Sequence, residues 1–278
     1  MVFIFPILCL HILIPYYVVM RALNSHKGEN GTVAIIGGSS RMHGAPIFCA
    51  LSAEASGVDL VFIGLPEPHS TVAKMASLNV QVYPFSGEEL LKEDVGPMLQ
   101  MLAVIDCAVI GPGLSRHADT LHAIERIISG TPCPLVIDAT ALQPNTLALV
   151  AGRNAVVTPH LGELERMGIA PEDIGQRAQA SGTTIIVKGQ IDHIAGPDGQ
   201  MHEVTGGNAG LTVGGTGDAL AGLIAGLIAQ GMDHTEAAIL ASTVIKTAGD
   251  RLAEEKGFHY TTKEVIELIP YLLFEIQK

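Results

Sequence analysis

The chain has 278 residues, 48% of them hydrophobic and 4% aromatic, with 31 glycines; this suits one large α/β domain and leaves a second full domain cramped. A formal net charge of -12 disfavours nucleic acid or an anionic membrane as partner, since both call for a basic surface, yet it permits a local phosphate pocket. The four cysteines at 9, 49, 107 and 133 lie far apart without a C-x-x-C, which argues against a zinc site or disulfide framework and makes a reducing cytoplasm the expected setting.

Residues 1–20 read as an apolar N-terminal extension to a single domain over residues 21–278. Val2 to Met20 carry no formal charge, with Pro6 and Pro15 interrupting the run. Three readings stay open. A membrane anchor would be at the short end of the span length and would hold two prolines and His11; a secretory signal lacks a clear positive n-region and cleavage site. The third, preferred over the anchor, has translation beginning at Met20, the preceding segment being an artefact or a poorly ordered extension.

From residue 32 short apolar runs alternate with helical patterns. Thr32 to Ile36 reads as a buried strand stopped by glycines, followed by a helix over Pro46 to Ser56 and a strand over Val58 to Ile63. Further strands are expected at Leu102 to Ile110, Leu135 to Ile137, Ala155 to Thr158 and Thr184 to Val187. Helices are expected at Asp119 to Ser129, Gly162 to Met167 and Glu172 to Ala180. Strands separated by helices indicate a mostly parallel sheet covered on both faces, with ligands beyond the carboxyl ends of the strands. Asp192 to Val204 reads as a hairpin through Pro197-Asp198-Gly199. The C-terminal pattern Val265 to Ile276 suits packing within the domain, ahead of an interface role.

The most informative stretch is Gly206 to Gly231, GGNAGLTVGGTGDALAGLIAGLIAQG. Gly214, Gly215 and Gly217 let a ligand approach the main chain, and the free N–H groups and dipole of the helix that follows attract an anion. Asp218 falls in the first turn of that helix. A carboxylate there is expected to stay ionised and can take a proton from a hydroxyl reacting with a phosphoryl group at the same helix end. The plainer reading is a capped helix after a glycine turn, but a cap does not explain three glycines. From Ala219 to Ala229 the helix is apolar all round and too short to span a bilayer, which makes it core.

Other unusual residues fall after expected strands or at helix starts: Gly37-Gly38, Gly111-Pro112-Gly113, Asp138, Thr158 to Glu163, and Lys188-Gly189. They should converge on one rim. Glu163 and Asp138 are candidates for holding a magnesium ion or its waters, and His160 can hydrogen-bond while neutral. Singly each has a bland explanation: Asp138 as a helix cap, Glu163 as a first-turn carboxylate, His160 as a satisfied turn residue. Their joint placement favours a site.

HKGENG (26–31), IIGGSS with GAP (44–46), VIGPGL (109–114), VIDATAL (136–142), TPHLGE (158–163), VKG (187–189) and TVGGTGDALAG (212–222) occur in this order. Together they resemble the NAD(P)H-hydrate dehydratase family, of the ribokinase-like superfamily, from about His26 to the C-terminal helices. The resemblance implies a three-layer α/β/α sandwich and a repair enzyme that uses ADP or ATP to dehydrate the S form of hydrated NADH or NADPH. It implies that Asp218 acts as base on the ring hydroxyl, with magnesium and the glycine turn neutralising the transferred phosphoryl group. Ala45, Gly113, His160 and Asp218 would contact the hydrated dinucleotide. Lys188, Gly189, Gln190, Ile191, Asp192, Gly214, Gly215, Thr216 and Gly217 would serve the adenine nucleotide. ADP is the expected donor, as in stand-alone prokaryotic-looking members. A homo-oligomer, often a tetramer, and a separate epimerase for the two hydrate forms are also implied.

Three positions depart from the family pattern: Met42 where a tyrosine is frequent, Thr140 in place of a second aspartate, and Asp192 where many relatives have threonine. Two alternatives remain: a small-molecule kinase of the same fold acting on a vitamin precursor or sugar, and a non-catalytic nucleotide sensor. Against the sensor, a pure binder gains little from a carboxylate beside bound phosphates.

Overall fold

A computed structural model of the protein describes Arg21 and residues 24–276; the competing readings of residues 1–20 lie outside the described residues. The chain runs through β1 (Thr32–Ile36), α1 (Gly44–Ala55), β2 (Leu60–Gly64), α2 (Ser70–Ala76), β3 (Val80–Val82) and α3 (Val95–Leu102). Next come β4 (Cys107–Ile110), α4 (Ala118–Gly130), β5 (Leu135–Ile137), α5 (Thr146–Val150), β6 (Ala155–Val157), α6 (Leu161–Arg166), α7 (Ile174–Ser181) and β7 (Thr184–Val187). The expected hairpin joins β8 (Asp192–Ala195) to β9 (Met201–Val204), and α8 (Thr216–Ala229), α9 (His234–Lys256) and α10 (Thr262–Ile276) follow.

These strands make one sheet in the order β3-β2-β1-β4-β5-β6-β7-β8-β9, parallel through β7 and antiparallel across β8 and β9. The period of two along each strand feeds two cores at once. Val33 and Ile35 face α1, α8, α9 and α10, whereas Ala34 and Ile36 face the α3 to α7 side. The expected strand Leu102 to Ile110 is shortened. Leu102 ends α3, and strand begins only at Cys107, after Asp106 has accepted the Thr32 N–H at 2.8 Å and fixed the entry into the sheet.

Helix α8 is apolar all round because it is covered all round, by the sheet beneath it and by α1, α9 and α10. Ala219 to Ile228 are buried without a break. Burial of Leu223, Ile224, Leu227 and Ile228 contributes about 1.5–3 kcal/mol each. Gly222 and Gly226 form a seam against α1: a Cβ at Gly222 would lie 2.1 Å from the Cys49 carbonyl oxygen, and one at Gly226 2.1 Å from Ser56 Oγ. Ser52 Oγ donates to the Ala219 carbonyl at 2.6 Å across the same seam. The start of α8 is thereby held rigidly at the strand ends. Helix α10 buries Val265, Ile266, Ile269, Leu272 and Leu273 within the domain, against α1 and α9 more than against the sheet. Among the described residues no helix is long and apolar enough to cross a membrane. Cys49, Cys107 and Cys133 are buried free thiols.

Candidate active site

The glycine turn and the head of α8 adopt the expected geometry. Gly215 caps the helix at φ 100, and a Cβ there would lie 2.5 Å from the Phe48 ring of α1. Glycine is required twice over, by backbone conformation and by space. Thr262 Oγ1 donates to the Gly214 carbonyl at 2.8 Å, tying the turn to α10. Asp218 lies in the first turn of α8, where main-chain donors have no intrahelical partner and favour an anion.

Beside this turn stands a cluster of one lysine and three carboxylates. Lys188 Nζ donates to Asp138 Oδ1 at 2.7 Å and lies 3.9 Å from Glu163 Oε2. A Cβ at Gly217 would come within 3.3 Å of the same nitrogen, so the turn and the lysine abut. Burial works against the Lys188 charge, but Asp138, Glu163 and Asp218 outweigh it and its pKa is raised. Burial, the Asp138 charge and, more weakly, Glu163 push Asp218 up to about 7, with Lys188 opposing. This corrects the expectation that Asp218 simply stays ionised. Near neutrality such a carboxyl exchanges its proton readily, which suits general base chemistry.

Asp138 follows β5 and stands at the N-cap position of a single 3-10 turn, Ala139–Ala141, without a side-chain capping bond; its Oδ1 also accepts from Thr158 Oγ1 at 2.6 Å. The backbone around it is tight. A Cβ at Gly111 would meet the Asp138 carbonyl oxygen at 1.8 Å, and Ala139 has φ 52, an unusual value for a residue with a side chain. Thr140, in place of a carboxylate, donates to the Leu114 carbonyl at 2.7 Å and pins the loop that carries Gly113. Glu163 and His160 form a capping box on α6: Glu163 Oε2 accepts the His160 N–H at 3.0 Å, and His160 Nδ1 accepts the Glu163 N–H at 3.2 Å. Both bland roles are therefore real, and the placement beside Lys188 comes with them.

Among the described residues there is no group of three or more His, Cys, Asp or Glu placed to hold a metal ion. The bonds to Asp138 fall on Oδ1, and Glu163 spends Oε2 on the capping box. A donor set of this kind fits magnesium carried on substrate phosphates with its waters, since that ion takes one or two carboxylates and keeps much of its hydration.

A cleft of about 890 Å³ opens next to the turn. Of the expected site residues, His160, Lys188, Gly189, Gln190, Asp192, Gly215, Thr216 and Gly217 line it. Ile191 and Gly214 are exposed outside that lining, while Asp138, Glu163 and Asp218 form the cluster behind it. Ala45 and Gly113 meet each other instead: a Cβ at Gly113 would be 3.2 Å from Ala45 Cβ and 2.9 Å from the Met42 carbonyl, and the Met42 side chain is half exposed. They join the turn through α1, whose Phe48 packs on Gly215.

Sequence reasoning missed the wall built by α9. Ser242, Lys246 and Asp250 recur every four residues along one face of the helix and reach the loops at 189–192 and 206–208. Ser242 Oγ donates to Asp192 Oδ2 at 2.6 Å, and Asp192 Oδ1 accepts the Gly189 N–H at 2.8 Å. The Asp192 carboxylate is thus spent inside the protein. Asp250 accepts the Gly207 N–H at 2.9 Å and Asn208 Nδ2 at 3.1 Å, and Tyr260 donates to Asn208 Oδ1 at 2.6 Å. The period of four was the available signal.

A model of the NAD(P)H-hydrate dehydratase family matches residues 33–271. The ADP-dependent (S)-NAD(P)H-hydrate dehydratase of Cenarchaeum symbiosum is 34% identical, over 92% of this chain and 93% of that protein. A bifunctional NAD(P)H-hydrate repair enzyme of Pyrobaculum aerophilum is 36% identical over 91% of this chain, which spans about half (52%) of that relative's length. Among solved structures, the ADP/ATP-dependent NAD(P)H-hydrate dehydratase of Bacillus subtilis, co-crystallised with ATP and Mg2+, superposes with TM-score 0.80 at 26% identity, covering 92% of this chain and 93% of that one. A ribokinase-like superfamily protein of Enterococcus faecalis gives TM-score 0.81 at 24% identity, covering 93% and 92%, and shows the shared fold. With its glycine turn, its lysine-carboxylate cluster and all of its sheet but Thr32 in the matched region, the chain belongs to the NAD(P)H-hydrate dehydratase family.

Proposed function

We propose that the protein dehydrates the S form of NADH or NADPH hydrate, with ADP as phosphoryl donor, and releases AMP, phosphate and the restored reduced cofactor. The observation that carries this reading is Asp218 at the head of α8, beside Lys188 and between the glycine turn and the Asp138–Glu163 pair. The adenine nucleotide lies in the cleft along Lys188 to Asp192 and the turn Gly214 to Gly217, its terminal phosphates at the N–H groups of α8. The hydrated ring lies on the side of Ala45, Gly113 and His160.

Asp218 accepts the proton of the ring hydroxyl as the hydroxyl oxygen attacks the terminal phosphorus of ADP, whose bond to the bridging oxygen breaks with AMP leaving. The ring carbon–oxygen bond then breaks with phosphate taking the electron pair, and loss of a proton from the adjacent ring carbon restores the double bond. Donors fixed in place before reaction, the α8 N–H groups and Lys188, stabilise the charge on the transferred group. Magnesium, held through Asp138 and Glu163 or their waters, would supply further neutralisation of the phosphates. By the same family likeness the working form is a homotetramer acting in the cytoplasm, with residues 21–278 as one catalytic unit.

The test is product analysis after incubation with S-form NADH hydrate, magnesium and ADP. One AMP and one free phosphate for each NADH restored is expected. A stable phosphorylated organic product without return of NADH would overturn the reading in favour of a kinase.

A further inference from the structure

Lys246 projects from α9 into a nest of oxygens. Its ammonium donates to the Gln190 carbonyl at 2.9 Å and the Gly189 carbonyl at 3.1 Å, reaches the Gly206 carbonyl at 3.4 Å, and lies 3.5 Å from Asp192 Oδ1. Its side chain is 8% exposed. Neutral main-chain oxygens with one balancing carboxylate, at 2.9 to 3.5 Å, suit a single positive charge of ammonium or potassium size. Magnesium and calcium ask for shorter bonds and more charge. The oxygens belong to two loops otherwise separate in sequence, and both loops line the cleft. Asp250 ties the second loop to the same helix face by accepting the Gly207 N–H.

We infer that Lys246 is a tethered monovalent cation: its ammonium fills a potassium-like site between the 189–190 and 206 loops and so fixes the floor of the nucleotide cleft without a free ion. It acts through these loops and is a positioning residue. The assignment of the floor to a nucleotide rests on the function proposed above; the assignment of the cation site rests on the oxygens alone.

The test uses the full chain in choline, sodium, potassium and ammonium chloride at equal ionic strength, measuring ADP affinity by calorimetry and melting temperature without nucleotide. The unaltered protein should bind and melt alike in all four salts. Lys246→Ala, which empties the nest and opens it to the cleft, should lose about tenfold or more in ADP affinity in choline, as expected when a buried charged hydrogen-bond donor is removed. Potassium or ammonium should restore most of that affinity and raise the melting temperature of this variant alone. Lys246→Met, whose terminal methyl group crowds the cation position, should stay weak in every salt. Dependence of the unaltered protein on potassium, or a Lys246→Ala variant indifferent to the cation, would overturn the inference. If ADP fails to bind the unaltered protein in any salt, the functional reading fails, and the melting series still decides the cation site.

Discussion

Around Asp218 the site is held by main chain, whereas along α9 it is held by side chains. On the first side Gly111, Gly215 and Gly222 let strand ends and helices approach until a single methyl group would collide with a carbonyl or a ring. On the second, Ser242, Lys246 and Asp250 cross from a helix to two loops and satisfy them by hydrogen bonds. The first arrangement gives a rigid frame for chemistry, because close packing leaves little room to relax. The second gives a binding wall whose position depends on a few polar contacts. Damage to the first should therefore appear in turnover and folding, and damage to the second in nucleotide affinity.

The largest effect should come from Asp218→Asn. Loss of a positioned base costs about 10²–10⁴ in rate, so kcat should fall by that factor while ADP binding is kept or tightened. Turnover measured beside calorimetric ADP binding checks this. A parallel loss of both would mean that the two sides are not separable.

Gly222→Ala tests the frame away from any ligand. Its Cβ would press on the Cys49 carbonyl at 2.1 Å. Overpacking of this kind costs about 1–3 kcal/mol, which denaturant unfolding would register. An unchanged midpoint would show that the α1–α8 seam yields more easily than its geometry implies.

Ser242→Ala sharpens the other side of the comparison. It deprives the buried Asp192 of a donor and should cost about 1–3 kcal/mol, read mainly as a raised KM for ADP with kcat little changed. Steady-state kinetics with varied ADP separates the two parameters.

A further contrast concerns pH. Asp218 in the fold has a pKa of about 7, above its ordinary value of 3.8, so the folded protein holds this proton more tightly than the unfolded chain. The sign follows: below the ordinary value Asp218 makes no difference to stability, and its destabilising contribution grows as pH rises and is complete above about 7. Asp218→Asn should accordingly raise the melting temperature most above pH 7 and progressively less toward pH 4, in a series of thermal melts without nucleotide. A gain that increases on acidification would reverse the assignment.

The same contrast explains what was legible in the sequence. Strands β1, β5 and β7 begin and end where their β-branched runs do, and the turn before α8 is visible because glycines and one aspartate have no cheaper explanation. Main-chain demands leave a mark in residue type. Strand β3 was missed because an edge strand of three residues shows too little alternation to be recognised. Leu102 to Ile110 merged a helix end with a strand because both are buried, and burial alone carries no period. Helix α9 shows no clean apolar stripe although it has 23 residues. Ser242 and Lys246 are buried polar groups on its inner face, where a hydrophobic stripe would be sought, and only their partners in distant loops explain them. The partners of Asp192 are hidden for the same reason: its place shortly after Lys188 is readable, but its commitment to Ser242 and Gly189 is a tertiary fact.

The most direct test of the account follows the absorbance of reduced nicotinamide as the purified full chain acts on S-form NADH hydrate with magnesium, in separate runs with ADP and with ATP. The absorbance should return in the run with ADP and stay flat without nucleotide. Absence of recovery with either nucleotide, while ADP still binds, would contradict the account.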